Sequence, residues 1–153
     1  MDMTGEYRIA APRDVVWHAL NDEDVLRACI PGCTELERTS DTELSAIVVQ
    51  KIGPVKAKFA GDVELKNINP PASYTIQGEG SGGVAGFAKG GADVTLAADG
   101  NETILSYVVN ATVGGKLAQI GSRLIDSTAR KLAAKFFDNF QAHLNENQPD
   151  KAG

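Results

Sequence analysis

The chain is poor in the residues that hold metal centres or disulfide frameworks: its 153 residues include two cysteines, two histidines and one tryptophan. Cys29 and Cys33 are four residues apart, whereas His18 and His143 lie near opposite ends of the sequence. A structural zinc site needs four ligands, and a thioredoxin-like motif has the spacing C-x₂-C, so neither pattern is met. We therefore expect no intrinsic metal or cofactor. The cysteines are interpreted as packing residues beside a Pro-Gly turn, with a labile disulfide or redox pair as the alternative.

Long apolar runs and an excess of positive charge are also lacking. No stretch approaches the roughly 18 consecutive apolar residues of a membrane-spanning helix. Residues 1–6 show neither the basic start nor the apolar segment of a signal peptide. The formal net charge is −5, opposite in sign to the basic field of a nucleic-acid-binding protein. These absences predict a cytoplasmic protein with no nucleic-acid partner.

Catalytic signatures are missing as well. No set of nucleophile, base and acid is recognisable in a chain with two histidines. Gly78-x-Gly80-x-x-Gly83 formally matches the dinucleotide-binding pattern, but that pattern requires a helix directly after it. The alternating residues 92–96 predict a strand there, so we interpret the glycines as relief in a β-hairpin. The sequence thus predicts a protein that is not an enzyme.

The N-terminal 30 residues show the sequence patterns of one short strand and two short helices. Residues 3–10 predict a short strand, and apolar positions over 14–20 predict a short amphipathic helix after it. Pro12 suits the first position of that helix. Asn21 or Asp22 can cap a second short helix, which we expect to end by Cys29 because a Pro-Gly turn follows.

The rest of the chain divides into two longer regions. From 34 to 113, apolar residues alternate with polar ones between tight turns, which is the pattern of an antiparallel meander. From 116 to 144 they recur every three or four residues, which predicts one helix roughly 40 Å long. Gly121, inside it, is interpreted as a site of close packing or a gentle bend. We expect a single domain over 1–144 and a polar, frayed tail over 145–153.

This order of elements defines an α+β architecture. An antiparallel sheet must bury one face, and the long C-terminal helix is available to cover it. A curved sheet wrapped around such a helix leaves a cavity between the two. Together with Val16-Trp17-x-x-Leu20-x-Asp22 near the start, the order resembles the helix-grip fold of START and Bet v 1-like proteins.

Four segments make the resemblance more specific. Residues 26–33 contain Cys-Ile-Pro-Gly-Cys, 53–63 begin Gly-Pro-Val-Lys-Ala-Lys-Phe, 86–90 read Gly-Phe-Ala-x-Gly, and 117–125 contain Gly-Ser-Arg-Leu-Ile. Together they resemble the CoxG family of carbon monoxide dehydrogenase subunits over about residues 3–142.

The resemblance implies an accessory role. A protein of this family is expected to serve a molybdenum-containing carbon monoxide dehydrogenase or a related hydroxylase, placing that enzyme at the membrane or passing its electrons to membrane quinone. It is also expected to hold a quinone- or lipid-like molecule in a hydrophobic cavity. Some members carry a membrane-anchoring C-terminal extension. This sequence ends at Gly153 without one, so the expectation is soluble carriage or transient contact at the inner face of the cytoplasmic membrane.

The cavity is the strongest functional candidate, because small-molecule sites are concave and mostly apolar. The alternatives are a docking scaffold whose core is completely filled and a small-molecule enzyme of the cyclase or hydrolase kind. We expect the cavity to be lined by Trp17, Phe59, Val63, Phe87, Tyr107, Val109, Leu117, Ile120, Leu124 and Ile125.

The net charge conceals an uneven distribution. Five basic and two acidic side chains fall within 116–144, which gives this segment +3 and leaves −8 for the rest of the chain. Lys116, Arg123 and Arg130 recur at heptad spacing beside the apolar face of the predicted helix. They form either a solvated face or a basic strip that contacts anionic lipid head groups or an acidic partner.

Overall fold

The computed structural model describes residues 1–146. Within this range, seven strands and four helices follow one another, and a 3₁₀ turn lies at Gly83–Ala85. In chain order the elements are β1 Asp2–Ile9, α1 Arg13–Leu20, α2 Glu23–Cys29, β2 Cys33–Ser40, β3 Glu43–Ile52, β4 Val55–Asn69, β5 Ser73–Ser81, β6 Phe87–Asp99, β7 Glu102–Gly114, α3 Lys116–Gln119 and α4 Ser122–Glu146.

The strands form one curved antiparallel sheet in the order β1-β7-β6-β5-β4-β3-β2. Strands β2 to β7 are thus a continuous meander, and β1 pairs with β7, from Asp2 opposite Asn110 to Ile9 opposite Thr103. The predicted α+β helix-grip architecture, with two short helices after the first strand, is confirmed.

The two short helices begin where the local chemistry places them. Pro12 is the residue just before α1, not its first residue, and Asp22 is the N-cap of α2. The Asp22 side chain accepts hydrogen bonds from the amides of Asp24 at 2.8 Å and Val25 at 3.3 Å, which satisfies donors that the helix leaves free. α2 ends at Cys29, as predicted, and packs against α4 and β2.

The prediction of one continuous C-terminal helix is wrong. α3 ends at Gln119, Gly121 has φ +101°, and α4 begins at Ser122. A positive φ cannot continue a right-handed helix, and glycine adopts it without the strain that a Cβ brings. Gly121 is therefore a break and not a gentle bend. α4 itself runs through residues 145 and 146, where the sequence predicts a frayed tail, and 147–153 lie outside the described residues.

Large side chains fill only one end of the space between the sheet and α4. There the core is packed around fully buried Phe140 with residues such as Leu65, Leu96 and Leu105. Along the same inward-facing rows towards the other end, the side chains become small. The register places Gly61, Gly78, Gly80, Ala88 and Gly90 there. The inward-facing rows are therefore filled by large side chains at one end of the sheet and carry small residues at the other.

Candidate functional site

An apolar cavity of about 360 Å³ lies between the concave face of the sheet, α2 and α4. Its wall is accessible from outside, because Val63, Ile76 and Ala92 are only half-buried although they face inward. The lining consists of Met3, Leu20, Asn21, Leu26, Ile30, Leu36, Arg38, Leu44, Ala46, Val63, Leu65, Tyr74, Ile76, Ala92, Val94, Leu105, Tyr107, Val109, Ala133, Phe136 and Phe137.

Helix α4 contributes one wall through a short run of side chains. Ala133, Phe136 and Phe137 are three and four residues apart and therefore share a face of the helix. Ala133 is the small member of the group, and the strands contribute Ala46 and Ala92 to the same lining. Small side chains on both walls are the local reason that the cavity exists, since a larger residue at any of these positions would occupy it.

Four polar side chains interrupt the apolar lining. The Arg38 guanidinium donates to the carbonyl oxygens of Asn21 at 2.7 Å and Asp41 at 2.9 Å. Asn21 Nδ2 donates to the carbonyl oxygen of Trp17 at 2.9 Å. These two residues are therefore already engaged with the backbone. The other two polar residues are Tyr74 and Tyr107.

The two tyrosines lie in different surroundings. Tyr74 is buried beneath Trp17, with ring centroids 5.3 Å apart and an edge-on angle of 85°. Burial raises the pKa of Tyr74 well above the ordinary tyrosine value. Tyr107 stacks on Phe137 at 6.0 Å, and partial burial together with neighbouring Tyr7 raises its pKa, which Arg130 opposes. Both phenols consequently remain neutral hydrogen-bond donors near neutral pH.

Three of the ten predicted cavity residues line the cavity: Val63, Tyr107 and Val109. All three lie on inward-facing positions of β4 and β7, which the alternation of apolar residues identified correctly. Trp17 lies one layer behind the wall and packs edge-on against Tyr74.

The structure places the other six predicted residues outside the lining of this cavity, at the end of the molecule near the β3–β4 turn. The odd-numbered Phe87 faces away because the even positions of β6 face inward, and its ring lies over Gly114. Leu124 packs over Gly53 beside Ile120, and Phe59 packs against Gly82. Leu117 and Ile125 are buried. The break at Gly121 separates Leu117 and Ile120 from α4, whereas Leu124 and Ile125 lie in its first turns, before the part that lines the cavity. Contact of these six residues with a ligand remains a prediction.

Sequence reasoning missed the contribution of α2 and of the middle of α4. Leu26 and Ile30 line the cavity because α2 packs across the end of the sheet, a long-range placement that no local pattern reveals. Phe136 carried a usable signal, since it falls in the apolar row at three- and four-residue steps that predicts the long helix.

The cysteines show no feature of a reactive site. Both are free; Cys29 is buried, and the Cys33 thiol donates to the carbonyl oxygen of Glu35 at 3.3 Å. Burial raises the pKa of both thiols, which keeps them in the weakly nucleophilic protonated form. Among residues 1–146, no group of three or more histidine, cysteine or acidic side chains is placed to hold a metal ion.

A curved antiparallel sheet that wraps around a long helix over an apolar cavity is the START-like fold. A START superfamily protein from Mycobacterium smegmatis has a TM-score of 0.73 and 12% identity, covering 96% of this chain and 99% of the other. A STAR-related lipid transfer protein from Xanthomonas axonopodis has a TM-score of 0.63 and 21% identity, covering 94% of this chain and 85% of the other. At these identities the likeness concerns the fold.

Within that class, the chain belongs to the CoxG family of carbon monoxide dehydrogenase subunits, whose family model matches residues 5–145. It is also similar to a conserved protein from Geobacillus kaustophilus, with 31% identity and a TM-score of 0.90, covering 95% of this chain and 96% of the other. No curated protein sequence matches it. Family and fold together indicate an accessory role that involves a hydrophobic ligand.

Residues 1–146 contain no helix that is long and apolar enough to cross a membrane.

Proposed function

We propose that this protein binds a quinone- or lipid-like molecule in the cavity and carries it between the cytoplasmic membrane and a molybdenum-containing hydroxylase such as carbon monoxide dehydrogenase. The observation that carries the proposal is the apolar, accessible cavity in a chain of the CoxG family. Membership of that family supports the dehydrogenase as partner. Electron transfer would be the chemistry of the bound molecule, and the protein would supply binding and shelter from water.

The size of the cavity sets what part of a ligand it would enclose. At about 360 Å³ it lies near the lower end of the range for small-molecule sites. It would take a ring system or one segment of an apolar tail, and the remainder would extend through the opening. Burial of a few hundred Å² of apolar surface, at roughly 25 cal/mol per Å², would contribute several kcal/mol.

The same cavity weighs against a scaffold with a filled core. In a filled core, Val63 and Ile76 on the concave face would be as buried as Leu65 and Leu96 in the neighbouring rows. Instead they are half-buried beside open space. A scaffold of that kind would carry no ligand, so a test of ligand binding separates the two functions.

The end of the molecule near Gly121 supports a transient membrane contact. Val84 is 86% exposed on the 3₁₀ turn, and Phe87 and Leu124 are 46% and 38% exposed. Lys116 begins α3 and Arg123 lies in the first turn of α4, so basic side chains accompany these apolar ones. Apolar side chains flanked by basic ones suit an anionic bilayer surface.

Removal of a quinone from vesicles tests the proposal. Wild-type protein is mixed with vesicles that contain a long-chain quinone, the vesicles are sedimented, and the supernatant is extracted with solvent. We expect wild type to hold quinone in the supernatant in proportion to protein. Ala133→Trp, which fills the cavity from α4, should reduce this by about tenfold or more.

Ala134→Trp is the matched control, because Ala134 is the next residue of α4 and is exposed. This variant should extract quinone as wild type does. A wild-type protein that stays empty would contradict carriage, and equal extraction by both variants would exclude this cavity as the site. Co-purification of a molybdenum hydroxylase with the protein from its own source tests the partner.

A further inference from the structure

One polar atom in the cavity wall has no partner. Tyr74 is 7% exposed and lines the cavity, yet its hydroxyl makes no hydrogen bond with any of residues 1–146. Buried tyrosine hydroxyls ordinarily find a partner, because an unpaired polar group in apolar surroundings costs about 1–3 kcal/mol. The Tyr74 hydroxyl is thus an exception that needs a reason.

The hydroxyl faces open space. Within the described part of the chain, no side-chain oxygen or nitrogen is both fully enclosed and without a partner. Since the Tyr74 hydroxyl has no partner, it must retain some accessible surface, and Tyr74 lies on an inward-facing position of β5, opposite Val94. Tyr74 is also part of the cavity lining, and we assign the accessible surface of its hydroxyl to the cavity.

The ring has little freedom to turn away. Trp17 packs edge-on against it at a centroid distance of 5.3 Å, and the buried residues around it include Leu65 and Val94. Of the other polar groups in the lining, Arg38 and Asn21 already donate to backbone carbonyls, and the Tyr107 hydroxyl is half-buried beside Tyr7. Tyr74 is the buried donor of the lining that is left without an acceptor.

We propose that Tyr74 is the specificity-determining residue of the cavity, and that its hydroxyl donates a hydrogen bond to a carbonyl-type oxygen on the inner end of an otherwise apolar ligand. This rests on the proposed function, since it assumes that the cavity holds a ligand. It adds the ligand's chemical class and its orientation: the oxygen-bearing end enters first, and the purely apolar part faces the opening.

The geometry also accounts for why a hydrocarbon alone would bind less well. A ligand without an acceptor would leave the Tyr74 hydroxyl unpaired and would displace any water that had satisfied it. Burial keeps the phenol protonated, so the group acts as a donor over the whole physiological pH range.

A pair of matched probes tests the inference on the full chain. α-Tetralone is a bicyclic ketone, and tetralin is the same skeleton without the oxygen, so the difference between their affinities combines the hydrogen bond made in the cavity with the loss of water from one carbonyl. We expect wild type to bind α-tetralone about fivefold to tenfold more tightly than tetralin by calorimetric or NMR titration. In Tyr74→Phe this preference should be lost or reversed, because the carbonyl would give up its water without gaining a donor, and tetralin binding should be unchanged or improved.

Tyr7→Phe is the control, because it removes the same hydroxyl from a tyrosine outside the cavity lining. It should keep the wild-type preference for the ketone. Preference for the ketone that survives Tyr74→Phe, or equal binding of both probes by wild type, would overturn the role of Tyr74 while leaving carriage intact. Failure of both probes to bind wild type would overturn the proposed function itself, and this inference with it.

A spectroscopic measurement covers the case in which Tyr74→Phe does not fold. In wild type labelled with ¹³C at tyrosine Cζ, α-tetralone should shift the Tyr74 resonance, because a new hydrogen bond changes the electron density at the phenol carbon. Tetralin should shift it much less. Equal shifts with the two probes would count against the hydrogen bond.

Discussion

At the scale of single residues, two phenylalanines of α4 mark the border between the packed core and the cavity. Phe140 is completely buried and stacks on Phe136 at 5.7 Å. Phe136, one turn earlier, is half-buried and lines the cavity. Phe140 therefore stabilises the core, whereas Phe136, on the same helix, forms part of the cavity wall.

Truncation of these two phenylalanines should separate packing from binding. Phe140→Ala should lower the free energy of unfolding by about 4 kcal/mol, since it leaves a hole in a filled core. Phe136→Ala should cost about half as much, because one side of its ring already faces open space, and it should change affinity for an apolar probe. Urea unfolding and probe titration of both variants provide the check. Equal destabilisation would mean that the cavity is closed in solution.

At the scale of elements, the break at Gly121 is the feature that most changes the expected site. It separates α3 from α4, so Lys116 belongs to a different helix from Arg123 and Arg130. The heptad row that a continuous helix would have formed is therefore interrupted after Lys116. Leu117 and Ile120 likewise pack near the β3–β4 and 3₁₀ turns instead of against the cavity.

A substitution at the break isolates the backbone contribution. A Cβ at Gly121 would have nothing within 4 Å, so Gly121→Ala introduces strain from φ +101° without a clash. We expect it to lower the free energy of unfolding by about 1–2 kcal/mol. Gly80→Ala is the comparison, since its Cβ would lie 3.8 Å from the Ala60 carbonyl oxygen at an ordinary strand φ. That variant should be neutral or slightly stabilising in the same thermal or urea unfolding experiment.

At the scale of the whole molecule, charge and exposed apolar surface are distributed unevenly. The segment 116–144 carries +3 in a chain of net charge −5. Lys116 and Arg123 begin the two C-terminal helices at the end where Val84 is exposed. In the structure these basic residues make no ion pair with another of residues 1–146, so they are available to an anionic surface.

Binding to anionic vesicles should depend on these residues and on salt. Replacement of Lys116, Arg123 and Arg130 by Gln should weaken cosedimentation with phosphatidylglycerol vesicles at low salt by about tenfold or more, given roughly 1 kcal/mol for each basic residue near the surface. Wild-type binding should fall as ionic strength rises. Gln at Lys66, Lys131 and Lys135 removes the same charge elsewhere and should have a smaller effect. Salt-independent binding, or equal loss in both triple variants, would contradict the docking face.

Apart from the break at Gly121, the order and kind of the main elements follow from the amino-acid sequence alone. Alternation over 34–113 and the three- and four-residue steps after 116 are local consequences of burying one face of a strand or helix, and they predict an antiparallel sheet followed by helix. That order resembles the helix-grip fold, which the structure confirms. The capped start of α2 at Asp22 is equally local. The same alternation places Val63, Tyr107 and Val109 on the inward face of the sheet.

Which inward residues meet, and which leave space, depends on the folded chain as a whole. The register of β6 turns Phe87 away from the cavity, and the positive φ at Gly121 removes Leu117 and Ile120 from the face of α4. The sequence also does not predict that the Tyr74 hydroxyl lacks a hydrogen-bond partner, because this depends on which groups the fold brings near it. Local periodicity predicts that one face of a strand or helix is buried. What it is buried against is fixed by strand register, by the backbone angle of single residues and by packing between elements distant in the chain.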